Sequence, residues 1–161
     1  MPEIEKRVLE LSALCRQRHW TVGVAESCTG GLLSSWICAY PGVSSFYQGG
    51  VVSYARSVKM DVLGVSPNLL LAHGEVSLPV AQAMARGART ALDCTWAVSV
   101  TGVAGPSGGS PAKPVGFVCF AAVGPGFESS VHRQFSAASG REDIQRHAAL
   151  FAFDFLLNAM R

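Results

Sequence analysis

Between residues 21 and 37 the chain changes period abruptly. Thr21-Val22-Gly23-Val24-Ala25 is a short apolar run of strand type. Glu26-Ser27-Cys28-Thr29-Gly30-Gly31 follows at once, and then Leu32, Leu33, Trp36 and Ile37 fall at helical spacing. A strand, a tight polar turn and a helix are therefore expected in immediate succession. That unit needs a sheet on which the helix can lie, so it points to an α/β protein from the outset.

The remaining pattern extends the same architecture. Residues 3–18 carry Ile4, Val8, Leu11 and Cys15 at helical spacing, with Pro2 near the start, which predicts an opening amphipathic helix. A second strand is expected over 46–54, where Gly49-Gly50 signals a bulge or a close backbone approach. A short helix over 57–64 is closed by Gly64. Ser77 is the expected N-cap of a long helix running to about Leu92, with Pro79 in its first turn. Residues 95–100 predict a buried strand, and 101–114, with four glycines and three prolines, a long loop. Strands over 115–123 and 128–135 are joined by Gly124-Pro125-Gly126, a turn short enough to demand an antiparallel hairpin. The closing helix spans 140–160, with Glu142 and Asp143 where the helix dipole favours them. Together these give a three-layer α/β/α sandwich with a mixed, mostly parallel sheet and a C-terminal antiparallel hairpin, in one domain over 1–161.

Composition narrows the function. The formal net charge is only +2, and Arg86 and Arg89, like Arg133, Arg141 and Arg146, are interleaved with apolar or acidic residues. No basic stripe marks a nucleic-acid or membrane partner. No apolar stretch reaches the ~18 residues that span a bilayer. Charged residues make up 15% of the chain against 49% hydrophobic. So little charge predicts a surface partly covered by another subunit, with a homodimer favoured. Five cysteines form no C-x-x-C pair and no zinc-spaced cluster with histidine, so no metal site is expected. Their odd number, without a secretory signal, suggests the cytoplasm. All but Cys28 lie in apolar runs, where a thiol behaves as a small core residue.

Three polar stretches stand out, at 25–31, 54–59 and 101–114, the first and third rich in glycine. The first and third follow short buried strands. If those strands are parallel, both loops lie at the carboxyl edge of the sheet, where open α/β folds bind ligands. Ser27 sits where a rigid turn would project a nucleophile beside the N–H groups of a helix N-terminus. The same geometry suits an ordinary N-cap or a phosphate cradle. The four histidines lie outside all three loops, so none is an evident base for Ser27. Lys59, among Val58, Met60 and Val62, is a candidate base if burial strips its proton. Lowering its pKa from ~10.4 to ~7.5 takes about 4 kcal/mol. The alternative is a lysine snorkelling from an amphipathic helix. Tyr54 and Thr101 stand at strand ends as hydrogen-bond donors, and Cys28 is a rival nucleophile.

At these residues the chain resembles a known family. Ala25-Glu26-Ser27-Cys28-Thr29-Gly30-Gly31 is similar to the A-E-S-C-T-G-G signature of the CinA C-terminal domain family. Gly49-Gly50-Val51-Val52-Ser53-Tyr54 with Lys59 resembles its G-G-V-V-x-Y…K segment. Thr101-Gly102-Val103-Ala104-Gly105-Pro106, Gly108-Gly109 and Lys113-Pro114-Val115-Gly116 resemble its T-G-I-A-G-P…G-G…K-P-V-G loop. The match runs from about residue 3 to 157. It implies a usually dimeric nicotinamide-nucleotide amidase. Such an enzyme hydrolyses nicotinamide mononucleotide to nicotinate mononucleotide and ammonia, with no metal or cofactor. By the same resemblance Ser27 is the nucleophile, Lys59 its base and Tyr54 a support to the pair. Cys28, Thr29, Gly30 and Gly31 form the substrate-binding turn, and Thr101, Gly102 and Gly105 shape the amide pocket. Arg141 or Arg146, early in the last helix, is the candidate to hold the phosphate, the alternative being that both are exposed helix charges. Arg56 and Ser57 stand where the family usually has asparagine and often glutamate, so the charge between Tyr54 and Lys59 differs from its pattern. The rival of another class is a nucleotide- or phosphate-binding module of the same fold without turnover.

Overall fold

Apolar spacing places the first helix as expected: α1 (Pro2–Arg18) buries Ile4, Val8, Leu11 and Cys15 along one face. The computed structural model describes residues 1–161. After α1 come β1 (Val22–Glu26), α2 (Leu32–Cys38), β2 (Tyr47–Val52), α3 (Arg56–Asp61), α4 (Pro67–His73) and α5 (Leu78–Ala91). They are followed by β3 (Trp96–Gly102), β4 (Phe117–Gly124), β5 (Phe127–Gln134) and α6 (Arg141–Met160). The strands form one sheet in the order β2-β1-β3-β4-β5. β1 pairs parallel with both β2 and β3, whereas β4 runs antiparallel to β3 and to β5. All strands but β4 thus point the same way, and β4–β5 is the expected hairpin.

The two faces of the sheet carry different side chains, because neighbouring strand residues point oppositely. Val22, Val24, Val98, Val100, Val118 and Phe120 pack on one side against α1, α2 and α6. A paired Arg7–Asp154 contact at 2.7 Å ties α1 to α6 at the rim of that layer. On the other side lie the small residues Ala25, Ala97 and Ala121, which let α5 approach through Val80, Ala81, Met84, Ala85 and Ala88. Helices on both faces of a mixed sheet make the three-layer α/β/α sandwich. β1 and β3 are covered on both sides, which is why they read as continuous apolar runs.

Two glycines set how closely the layers meet. The register shifts between Val22 and Gly23, leaving Gln48 as the extra residue of a bulge in β2. A β-carbon at neighbouring Gly50 would collide with the Ser34 hydroxyl and Val24, so the close approach signalled by Gly49-Gly50 is real. Gly87 of α5 meets the Leu63 carbonyl in the same way, seating the segment that follows α3.

Some expectations are corrected. α4 was not signalled by apolar spacing; Leu70 is its one buried residue, and a helix of seven residues with one anchor leaves no periodic trace. Cys38 is exposed, although it lies in an apolar run, because it ends α2 on the side away from the core. Cys28, outside such a run, is buried. No helix is long and apolar enough to cross a membrane.

Candidate functional site

Because β1, β2 and β3 are parallel, their carboxyl ends deliver Ser27, Ser53 and Thr101 to one edge of the sheet. Ser27 immediately follows β1, and its N–H donates to the Val100 carbonyl of β3 at 2.9 Å, so the serine is pinned to the sheet. Lys59 reaches the same point from α3. It is among the most deeply buried residues of the chain, with 1% of its surface exposed. Its Nζ donates to Ser27 Oγ at 2.9 Å, to the Ser53 carbonyl at 2.6 Å and to the Tyr54 carbonyl at 3.5 Å. The snorkelling alternative is therefore excluded. The Ser53 backbone is itself fixed, its N–H donating to the Glu26 carbonyl at 2.7 Å.

Burial disfavours the charged amine and pulls the Lys59 pKa below its ordinary value. Glu75, whose carboxylate lies 3.8 Å from Nζ, opposes that shift, as does Cys28 to a smaller degree. Burial acts the other way on the neighbouring thiol, pushing Cys28 up to about 12. The thiol is thereby held protonated at neutral pH, the form in which a cysteine is least reactive.

The turn after Ser27 differs from the expected array of free N–H groups. The Glu26 carboxylate folds back beneath it. One oxygen accepts from the Thr29 hydroxyl at 2.7 Å and from the N–H groups of Gly31 and Leu33, each at 3.1 Å. The other accepts from the N–H of Ser34 at 2.8 Å and from its hydroxyl at 2.7 Å. Gly30 and Leu32 donate within the turn, to the carbonyls of Ser27 and Thr29. The N–H groups of Cys28 and Thr29 alone are left in this turn without a protein acceptor. The Gln145 side chain donates to the Cys28 carbonyl at 2.9 Å and braces the turn from α6.

A cleft of about 240 Å³ opens in front of Ser27 and Lys59, bordered by Cys28, Tyr54, Glu75, Thr101, Gly102, Gly105 and Arg141. Arg141 crosses its mouth, donating to the Gly105 carbonyl at 2.6 Å and to the Tyr54 hydroxyl at 3.1 Å. Tyr54 thus meets Lys59 through its carbonyl, while its exposed phenol is turned to Arg141. The Thr101 hydroxyl donates to the Glu75 carbonyl at 3.0 Å, fixing the backbone that carries that acid.

Four expected site residues stand apart from the cleft. Thr29 and Gly31 serve Glu26, and Gly30 makes the turn in the left-handed region. Arg146 pairs with Glu3 of α1 and is drawn away from the cleft by that charge. Glu26, Glu75 and Gln145 were not singled out from the sequence. Glu26 was signalled only by its place beside Ser27; Glu75 and Gln145 carry no local pattern at all. No group of three His, Cys, Asp or Glu residues comes together in a way that holds a metal ion.

Comparison with known proteins agrees with this architecture. A model of the CinA C-terminal domain matches residues 4–160. A CinA-like protein of Anaeromyxobacter sp. (strain Fw109-5) is 49% identical over 140 residues, covering 87% of this chain and 34% of the relative. One from Cyanothece sp. is 44% identical over 146 residues, covering 91% of this chain and 35% of that protein. The chain therefore spans about a third of the length of these curated relatives. Among solved structures, the competence/damage inducible protein CihA of Agrobacterium tumefaciens superposes with a TM-score of 0.92 at 33% identity, over 99% of this chain and 96% of that one. A competence-damaged protein (CinA) superfamily protein of Escherichia coli gives 0.89 at 34% identity, over 94% and 87%.

Proposed function

The chain belongs to the CinA C-terminal domain family, and on that footing we propose that it is an amidohydrolase. Its substrate is nicotinamide mononucleotide, and it works through a Ser–Lys acyl-enzyme. What carries the proposal is the buried Lys59 amine, 2.9 Å from Ser27 Oγ, with its pKa lowered by burial. A lysine so held has no evident structural purpose that an apolar residue would not serve better.

In the neutral form the Nζ lone pair accepts the Ser27 proton while Oγ attacks the carboxamide carbon. The carbonyl oxygen becomes an oxyanion, for which the unpaired N–H of Cys28, a residue bordering the cleft, is the available donor. When the tetrahedral intermediate collapses, the C–N bond breaks and protonated Lys59 gives its proton to the departing nitrogen, releasing ammonia. Water then attacks the ester. Lys59 takes the water's proton and returns it to Ser27 Oγ as the acid leaves. Every proton is carried by one amine, so the scheme needs no metal. Arg141, at the mouth of the cleft, is the guanidinium available to a substrate phosphate, because Arg146 is committed to Glu3.

Ammonia release from nicotinamide mononucleotide by the purified protein tests the proposal. Ser27→Ala is expected to abolish release while substrate binding persists, and Cys28→Ala to retain it. Exchange of those two outcomes would transfer the mechanism to the thiol. Nucleotide binding without any release would make the protein a binding module.

A further inference from the structure

We infer that Glu75 determines specificity: its carboxylate selects carboxamides borne on a cationic ring over the same carboxamides on a neutral one. Glu75 is the only acid bordering the cleft, and its carboxylate accepts no hydrogen bond from the protein. Its nearest cation, the Lys59 amine, lies 3.8 Å away and is directed at Ser27 and two carbonyls. The other cations nearby are directed elsewhere as well. Arg141 spends two of its five N–H groups on the Gly105 carbonyl and the Tyr54 hydroxyl, which direct it across the mouth and leave its charge unpaired, and the Lys113 amine donates to the His73 carbonyl at 2.8 Å. The acid is nevertheless not adrift. Thr101, at the end of β3, holds its backbone carbonyl, so the side chain is presented to the cleft from a fixed point. It is 42% exposed, which leaves it open to a ligand.

The spacing suits the ring. Ser27 Oγ, Lys59 Nζ and the Glu75 carboxylate follow one another at 2.9 and 3.8 Å. A carboxamide carbon placed for attack by Ser27 can therefore carry a ring that reaches the carboxylate within its own width. A pyridinium nitrogen there gains an opposite charge, whereas a neutral ring gains nothing and leaves Glu75 unpaired. The cleft then offers Glu75 to the ring and Arg141 to an anion, matching a zwitterion. This role presupposes the amidase reaction proposed above only in taking a carboxamide as the ligand.

Oxidised and reduced nicotinamide mononucleotide form the matched pair for a test, since they share amide, ribose and phosphate and differ in ring charge. Titration calorimetry of Ser27→Ala protein, which cannot turn over, is expected to show the oxidised form binding roughly 2–5-fold more tightly, the scale of a half-exposed ion pair. Adding Glu75→Gln should abolish that preference by weakening the oxidised form alone, and Glu75→Ala should act alike. Equal binding of the two forms, no binding of the oxidised form, or a preference that survives both substitutions overturns the inference. If Glu75 merely steadied Lys59, both ligands would change together and the ratio would hold. Wild-type protein that releases no ammonia, while the Glu75-dependent preference stands, would overturn the proposed reaction and leave this role intact.

Discussion

Replacing Lys59 with methionine keeps the apolar stem and removes the amine, so it separates chemistry from packing. As the general base is lost, kcat for ammonia release is expected to fall at least ~100-fold, with KM changing far less. The same substitution should stabilise the fold, because a buried amine is costly and a thioether is not. About 1 kcal/mol is expected near neutral pH, partly offset by the lost bond to the Ser53 carbonyl. The folded pKa of Lys59 lies below its unfolded value of ~10.4. Between the two, the unfolded chain binds more protons, so the wild type regains stability as pH rises. The advantage of Lys59→Met should therefore be largest below the folded pKa and fade towards pH ~10; thermal melts across that range measure it. Glu75 bears on the same amine from outside. It faces Lys59 together with the protonated Cys28 thiol and the Ser27 hydroxyl, and its charge raises the lysine pKa. Glu75→Gln is thus expected to lower that pKa and move the acid limb of kcat/KM to lower pH. An unmoved or alkaline-shifted limb in the pH–rate profile would contradict it.

α2 is a seven-residue helix, too short to persist without its cap and its core contacts. Glu26 supplies the cap from the end of β1, joining strand and helix through both carboxylate oxygens. Glu26→Gln leaves one acceptor for donors that need two and turns an NH2 group towards others. The expected cost is about 2 kcal/mol, a fall in Tm of roughly 4–8 °C for a chain of this length. Since the turn also carries Ser27 and the Cys28 N–H group, kcat should fall more than KM rises. A melt and a kinetic comparison with wild type check both. The sequence made α1, α5 and α6 legible because each repeats its apolar spacing over several turns. It left α4 silent, since a helix anchored by Leu70 alone is defined by the surface it lands on.

Across the whole molecule, no three metal-ligating side chains converge, and one amine serves every proton transfer in the proposed reaction. Activity is accordingly expected to survive exhaustive dialysis against a chelator; loss restored by zinc, manganese or magnesium would overturn the Ser–Lys scheme. The α/β/α architecture itself was written in local pattern. Strand and helix periods, the short Gly124-Pro125-Gly126 turn and the apolar runs of β1 and β3 depend on neighbours in the chain, and neighbours are what a sequence displays. Ser27 stood out for the same reason, at a strand-to-helix turn, and the signature around it identified the family. The resemblance offered Lys59 as a partner of Ser27, but local pattern left the direction of its amine open, and the tertiary structure decided it. Lys59 lies 32 residues from Ser27, and whether its amine faces water or the serine depends on α3 being seated by Leu63 against Gly87. Arg141 and Arg146 looked equivalent along one helix. A surface carboxylate, Glu3, claims the second, and the cleft receives the first. Glu26 consumed the N–H groups that local pattern left free, and Glu75 reached the cleft from a loop with no pattern at all. Such pairings are made by sheet register and layer packing, which bring together charges that no periodicity in the chain connects.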